Sequence, residues 1–300
     1  MGGSDPVQPL DLEHLGRAGA ITAWLVLGEE PVVVDPGPAT TLETLERALA
    51  RRELRVEDLR HVVLTHVHLD HAGVTGHLVE RGDRITVHLH EEGAPHLADP
   101  ARLVASTRRT FGEAHDRLWG EVRPVPRGRI RGWRPGETAR IGGLRPFATP
   151  GHIGHHVSWL HERSGTLLAG DALGIVLASD GPTHPPTPPP AVDLEAWEET
   201  RASMEVVDPD RMGVAHAGLH GRVRERIADL GARLDALEVR VRGALEEDRV
   251  DEDARDYERD VRAEHELHLP PERVMRYFDV FRAETDYRGV VRYVRTSREP

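Results

Sequence analysis

The 300-residue chain contains no cysteine, no lysine and no asparagine. Without cysteine there are no disulfides, no zinc–thiolate sites and no thiol nucleophiles. Without lysine there is no Schiff-base chemistry and no phosphate-binding P-loop lysine. Catalysis must therefore use His, Asp, Glu, Ser, Thr, Tyr, Arg, water or a metal ion. The chain has 19 His, so histidine is the first residue type to examine.

Positively charged side chains are outnumbered by negatively charged ones. Lys+Arg number 39 against 51 Asp+Glu, and the net charge is −12. An acidic chain of this kind is poorly suited to a nucleic-acid backbone, which requires a basic protein surface. The sequence shows no basic segment followed by an apolar one at its start, and no apolar run long enough to span a bilayer. We expect a cytoplasmic protein with a small-molecule substrate and neither nucleic-acid nor membrane partners.

The order of apolar segments predicts a mixed α/β body followed by helices. We place the boundary so that residues 1–221 form the catalytic domain and residues 222–300 form a mostly helical extension. The predicted strands are residues 21–27, 31–34, 61–64, 85–89, 144–148, 157–161, 166–169 and 211–215. The predicted helices are residues 41–54, 193–207, 223–245, 251–266 and 271–284.

Three segments outside the strands have two interpretations each. The helix over residues 223–245 has an amphipathic pattern, so its apolar stripe would either close the pocket or form a homodimer contact. The proline-rich segment 181–190 predicts a rigid loop, which is either the rim of a cleft or a linker. The arginine-rich stretch 101–145 either attracts an anionic substrate or forms a solvated face.

The strongest signal is the segment THVHLDH at residues 65–71, directly after a predicted strand. It supplies four candidate metal ligands, His66, His68, Asp70 and His71. Imidazole nitrogens and carboxylate oxygens bind zinc at about 2.0–2.2 Å. His66 and His68 can face one point only if the backbone leaves regular helix. We therefore expect a loop at the end of the strand, with Asp70 and His71 at the start of the next helix.

Three further segments place one ligand type on a glycine-flanked turn after an apolar run. The candidate ligands on these turns are His152, Asp171 and His216. A single histidine or aspartate in such a position is usually structural, but the four segments together favour a metal site.

Other residues are candidates to support the ligands, because a metal-bound histidine normally donates its second ring N–H to a carboxylate, carbonyl or water. These candidates are Asp35, Thr65, His155 and His156. Asp35 either orients a ligand or caps a turn. His155 and His156 are better explained as hydrogen-bonded core histidines than as ligands.

The motifs HVHLDH, TPGHIGHH, Gly170-Asp171 and the later His216 resemble those of the metallo-β-lactamase-fold hydrolases. Within this superfamily the chain is most similar to the hydroxyacylglutathione hydrolase (glyoxalase II)-like branch. The resemblance covers roughly residues 18–221 and implies a four-layer αβ/βα sandwich with two metals at one edge, between the sheets. It also implies a ligand set: His66, His68 and His152 for one metal, Asp70, His71 and His216 for the other, and Asp171 as the bridge.

The expected activity follows from the two metals. Two divalent ions about 3.5–4 Å apart can hold a hydroxide and clamp a substrate oxygen, and metal binding lowers the pKa of water to about 7. We expect this hydroxide to attack the carbonyl of an ester, thioester or lactone of a small molecule, with Asp70 accepting the proton. Zn²⁺ is the expected metal, although iron and manganese also suit histidine and carboxylate ligands.

Two other function classes stay open. A mononuclear non-heme iron persulfide dioxygenase would use only the positions of His66, His152 and Asp171, but no persulfide-binding signature follows Asp171. A non-catalytic metal-binding module is the second alternative. It is disfavoured because a full ligand set with an acid at each site suits open, reactive coordination. One iron per chain with oxygen uptake would identify the dioxygenase, and closed coordination would identify the binding module.

Overall fold

The computed structural model describes residues 5–297, so the first four residues of the N-terminal stretch considered above lie outside the described part. The described chain divides into two compact units. The first runs to Ala148 and includes Val157–Gly170 and Asp210–Leu219. The second comprises Thr149–His156, Asp171–Pro209 and the chain from His220 onward. The boundary placed after residue 221 stays a prediction.

In the described part of the chain, the first sheet has six strands. Its strands are β1 (Val7–Asp11), β2 (Thr22–Val26), β3 (Val32–Val34), β4 (His61–Val63), β5 (Thr86–His90) and β6 (Ile130–Trp133). They lie side by side in chain order. β1, β2 and β3 pair antiparallel, and the pairs from β3 to β6 are parallel. The carboxyl ends of β3 and β4 therefore lie at the same sheet edge, where open α/β sheets usually bind ligands.

The second sheet consists of β7 (Leu144–Ala148), β8 (Val157–His161), β9 (Thr166–Gly170), β10 (Arg211–Val214) and β11 (Gly218–His220). Their order is β11-β10-β9-β8-β7, with β7, β8 and β9 antiparallel and β10 parallel to β9. Both sheets contribute to one core, in which Trp24 and Val63 of the first sheet pack with Trp159 and Leu168 of the second. Burying each such side chain contributes about 1.5–3 kcal/mol.

The helices of the first unit are short. They are α1 (Leu42–Ala50), α2 (Leu69–Ala72), α3 (Thr75–Arg81), α4 (Ala94–Ala98), α5 (Ala101–Phe111) and α6 (His115–Trp119). The predicted helix 41–54 therefore stops four residues early, and Glu53 has a left-handed φ of 59° just beyond it.

The arginine-rich stretch 101–145 passes through α5, α6 and β6. Arg108 pairs with Asp116, Arg134 with Glu91, and Arg140 with Glu162; all three arginines have exposed side chains. These pairs match the solvated-face interpretation.

The second unit contains α7 (Leu194–Val207), α8 (Val223–Glu246), α9 (Val250–Glu266), α10 (Pro271–Phe278) and α11 (Ala283–Thr296). Asp193 begins α7 by accepting a hydrogen bond from the Ala196 N–H at 3.0 Å. The predicted helices over 193–207, 223–245 and 251–266 agree with α7, α8 and α9 to within one residue at each end. No helix in the described part of the chain is both long and apolar enough to cross a membrane.

The prediction of one helix over residues 271–284 is wrong. α10 ends at Phe278, and Arg282 is extended (φ −71°, ψ 128°) before α11 begins. The turn buries Val280 between the two helices. It also changes the chain direction, so that Val290 and Val294 of α11 join a core cluster with residues of α8 and α9.

Candidate metal centre

The first unit brings together Asp70, His71 and His216. Asp70 Oδ2 lies 3.5 Å from His71 Nε2 and 3.6 Å from His216 Nε2. One ligand atom from each residue lies within 4.8 Å of the others. Ligand atoms that bind one ion tetrahedrally at about 2.0–2.2 Å are separated by about 3.4 Å. The spacing of these three side chains therefore fits a divalent ion.

The ring orientation of His216 is set by the backbone. Nδ1 of His216 lies 2.7 Å from the carbonyl oxygen of Ala20, and the ring is 2 % exposed. A carbonyl oxygen can only accept, so Nδ1 carries the hydrogen and donates it. Nε2 then carries the lone pair that a metal requires. The Ala20 contact has no signal in the sequence, because any residue can supply a backbone carbonyl.

Asp35 holds two of the predicted residues after β4. Its Oδ1 accepts the Thr65 backbone N–H at 2.8 Å, and its Oδ2 accepts the Thr65 hydroxyl at 2.7 Å. Oδ2 also accepts the Nδ1–H of His71 at 2.9 Å, which leaves the lone pair of His71 on Nε2. Of the two interpretations of Asp35, these contacts match the orientation of a ligand. Its backbone is left-handed, with φ 47°.

Thr65 transmits the same constraint to His66. Its single hydroxyl hydrogen is donated to Asp35, so its oxygen accepts the Nδ1–H of His66 at 3.0 Å. The lone pair of His66 therefore lies on Nε2, which is 2.9 Å from Nδ1 of His68. One carboxylate thus sets the tautomers of both His66 and His71. His68 directly precedes α2, while Asp70 and His71 lie in its first turn, as the sequence predicts.

The second unit brings together His152 and Asp171. His152 Nε2 lies 3.4 Å from Asp171 Oδ2, and both residues are buried. His152 Nδ1 donates to the carbonyl oxygen of Pro186 at 2.7 Å, so Nε2 again carries the lone pair. The turn before His152 requires glycine. Gly151 has φ 137°, and a Cβ there would lie 2.4 Å from Trp197 Cγ.

Of the two candidate histidines His155 and His156, His156 contacts the backbone of Asp171. The Asp171 N–H donates to His156 Nε2 at 3.3 Å, so the opposite nitrogen, Nδ1, donates to the Thr149 hydroxyl at 2.8 Å. His155 is buried beside it, at 8 % exposure. The adjacent pair HH gave no basis for choosing between the two rings.

The proline-rich segment carries the carbonyl that holds His152. Residues 182–187 are buried throughout, so the interpretation of this segment as a plain linker is wrong. Pro186 was not identified from the sequence as a residue of the site, because its contribution comes from its backbone and not from its side chain.

A comparison with known protein families finds a match to the metallo-beta-lactamase superfamily over residues 16–216. Among related proteins, the probable metallo-hydrolase YqjP of Bacillus subtilis is 29% identical over 174 residues, which are 52% of this chain and 53% of YqjP. The chain thus matches about half the length of that relative.

Solved structures have the same fold. The metallo-beta-lactamase family protein TTHA1429 from Thermus thermophilus aligns with a TM-score of 0.65 and 23% identity, over 97% of this chain and 94% of that one. TTHA1623 in a di-iron-bound form aligns with a TM-score of 0.53 and 26% identity, over 71% of this chain and 92% of that one. The predicted fold class is confirmed.

Proposed function

Because the chain belongs to the metallo-beta-lactamase superfamily, we propose that it is a metal-dependent hydrolase that cleaves an ester, thioester or lactone of a small molecule. One observation carries the proposal. Four predicted histidine ligands each place Nδ1 against a hydrogen-bond acceptor, which leaves Nε2 with its lone pair: His66, His71, His152 and His216. A histidine with only a structural role can donate from either ring nitrogen, so such a role does not require the same tautomer at all four positions.

The donor set fits two divalent ions. We retain the seven predicted residues as ligands: His66, His68, Asp70, His71, His152, Asp171 and His216. They combine imidazoles with carboxylates and include no thiolate, a set that suits zinc, iron or manganese. The di-iron form of TTHA1623 supports two ions per chain. We propose Zn²⁺ as the resident metal.

The metal ions, Asp70 and the histidine ligands would have different roles in hydrolysis. Bound divalent ions would supply a water molecule with a pKa of about 7 and would polarise a carbonyl oxygen. Asp70 has a 15% exposed side chain, whereas those of His71 and His216 are 1% and 2% exposed. Asp70 is therefore placed to accept the proton of an attacking water. The fixed Nδ1 contacts of His71 and His216 keep their rings from rotating during turnover.

Metal content and activity measured together test the proposal. Protein purified without added metal should contain zinc and hydrolyse members of a panel of thioesters and lactones. His71→Ala and Asp171→Ala should lose both metal and turnover. His77→Ala is the matched control, because the ring of this histidine bonds to the Glu121 backbone carbonyl and not to a predicted ligand. Full activity in metal-free protein would contradict the proposal.

Within the superfamily we propose the hydroxyacylglutathione hydrolase-like branch, on the basis of Asp70 in the HVHLDH motif and Asp171 as a candidate bridging ligand. The same panel tests this finer assignment, since glutathione thioesters should then be cleaved with higher kcat/KM than lactones. A preference for lactones would reject the branch and keep the hydrolase. One iron per chain with oxygen uptake would instead identify the persulfide dioxygenase.

A further inference from the structure

The second unit contains a buried carboxyl group that the proposed chemistry does not use. Asp286, in the first turn of α11, is 7% exposed. Its Oδ1 accepts the Thr187 backbone N–H at 2.8 Å, and its backbone oxygen accepts the Thr187 hydroxyl at 3.0 Å. Its Oδ2 lies 2.8 Å from Nε2 of His184. One residue of the last helix thus makes three hydrogen bonds to the proline-rich segment.

The backbone of α11 also packs directly against this segment. A Cβ on Gly289 would lie 1.8 Å from the carbonyl oxygen of Thr187, a distance at which the two elements would have to separate. Gly289 is one turn after Asp286, so both residues contact the segment from the same side of the helix. The close approach depends on glycine at this position.

The segment held by α11 is the one that orients His152. Pro186, whose carbonyl accepts the His152 Nδ1–H, lies between the anchored residues His184 and Thr187. His184 is fixed from a second side, since its backbone N–H and carbonyl both bond to Ile175, at 2.8 and 2.9 Å. With its neighbours held in this way, the Pro186 carbonyl has little freedom to move.

Burial disfavours charge on both members of the contact between Asp286 and His184. Burial raises the pKa of Asp286 well above its usual value, although the Thr187 N–H lowers it. Burial, followed by the charge of Arg233, lowers the pKa of His184 to about 3. Both groups therefore favour their neutral forms, and a single proton links Oδ2 to Nε2. An asparagine at position 286 could reproduce this pattern, because its amide both accepts and donates.

We propose that Asp286 and Gly289 are positioning residues that orient His152. They fix residues 184–187 against α11, and through the Pro186 carbonyl they set the orientation of the His152 ring. The C-terminal helix is then part of the structure that holds the metal. The inference rests on the proposed function in one respect, namely that His152 is a ligand.

The first test reads the ring of His152 without any metal. In ¹⁵N-labelled protein, the hydrogen on His152 Nδ1 should give a protected ring N–H signal, assigned by its loss in His152→Gln. Asp286→Ala and Gly289→Ala should lose or shift this signal, and Asp286→Asn should keep it. Asp253→Ala is the matched control, because Asp253 is also buried in this unit but binds Arg240 and Tyr287 instead of the segment.

The second test is a Co²⁺ titration followed by visible absorption. Asp286→Ala and Gly289→Ala should bind Co²⁺ about 10–100-fold more weakly than the wild type, with Asp286→Asn close to wild type. Circular dichroism checks that each variant is folded, and if Asp286→Ala is not, Gly289→Ala decides. Folded variants that keep both the ring signal and the Co²⁺ affinity overturn the inference. A wild-type protein that binds no Co²⁺ would refute the proposed function, while the ring signal would still decide the inference.

Discussion

Two predicted ligands of the first unit, His66 and His71, and His152 of the second unit are held by different kinds of support. In the first unit the support is a side chain: Asp35, at the end of a neighbouring parallel strand, accepts hydrogen bonds from both Thr65 and His71. In the second unit His152 is held by a backbone carbonyl in a loop, and that loop is fixed by α11.

The difference predicts where each unit is sensitive to mutation. A supporting carboxylate can be removed by one substitution at its own position. A supporting carbonyl cannot be removed in that way, so its function is lost only when the surrounding backbone moves. His152 should therefore respond to substitutions at packing positions that never contact its own side chain.

The largest effect is expected for Asp35→Ala. It removes the acceptor for the Thr65 N–H and for His71 Nδ1, both buried. Each unsatisfied buried group costs about 1–3 kcal/mol, and metal affinity should fall about 10–100-fold. Zinc affinity and kcat/KM measure the result. Asp99→Ala is the control, because this aspartate accepts the exposed Ala101 N–H near the start of α5. Unchanged zinc affinity in Asp35→Ala would remove the contrast between the units.

A smaller effect is expected for Gly151→Ala in the second unit. The new Cβ would collide with Trp197, and the φ of 137° disfavours any side chain. We expect a loss of about 1–3 kcal/mol in the free energy of unfolding, measured with urea. Gly128→Ala should have little effect, since nothing in the described part of the chain lies within 4 Å of its added Cβ. If Gly151→Ala is as stable as the wild type, packing does not constrain the turn before His152.

The smallest effect at neutral pH concerns a group that matters only in acid. Burial, followed by the charges of His61 and Arg131, lowers the pKa of His88 in the first unit to about 4. Between about pH 6.5 and 4 the unfolded chain therefore binds a proton that the folded chain does not. Stability should fall as the pH falls through this window, by at most about 1.4 kcal/mol per pH unit for this residue.

His88→Gln should flatten that part of the profile, as measured by urea unfolding at several pH values. Other groups with lowered pKa values contribute to the slope that remains, among them His184 and His265 of the second unit, whose pKa values burial lowers to about 3. A profile that is identical in His88→Gln and wild type would contradict the assignment to His88.

The buried strands could be predicted from the sequence, but three edge strands, β1, β6 and β11, could not. β3 and β4 are runs of valine bounded by turns, which is the pattern of a strand buried on both faces. β1 and β6 lie at the two ends of the first sheet and contain exposed residues, so no continuous apolar run marks them. The break after Phe278 was also missed, because the helical spacing continues across the turn.

The candidate ligands could be named from the sequence because four of them cluster in HVHLDH, the other three follow apolar runs on glycine-flanked turns, and the combination resembles a known set of motifs. Their support could be named only where it is also a side chain, as for Asp35 and Thr65. The carbonyls of Ala20 and Pro186 have no sequence signal. Asp286 has none either, since its role depends on a contact with Thr187, far away along the chain.

The backbone of Asp35 limits what evolution or an engineer can place there. At φ 47° the position accepts glycine readily and aspartate or asparagine at modest cost, whereas longer or branched residues are strained. Glutamate would keep the negative charge and still be a poor substitute, because its extra methylene would displace the carboxylate from both partners. Of the few residues this conformation tolerates, only aspartate offers two carboxylate oxygens, so the tautomers of His71 and, through Thr65, of His66 depend on one residue type at this position.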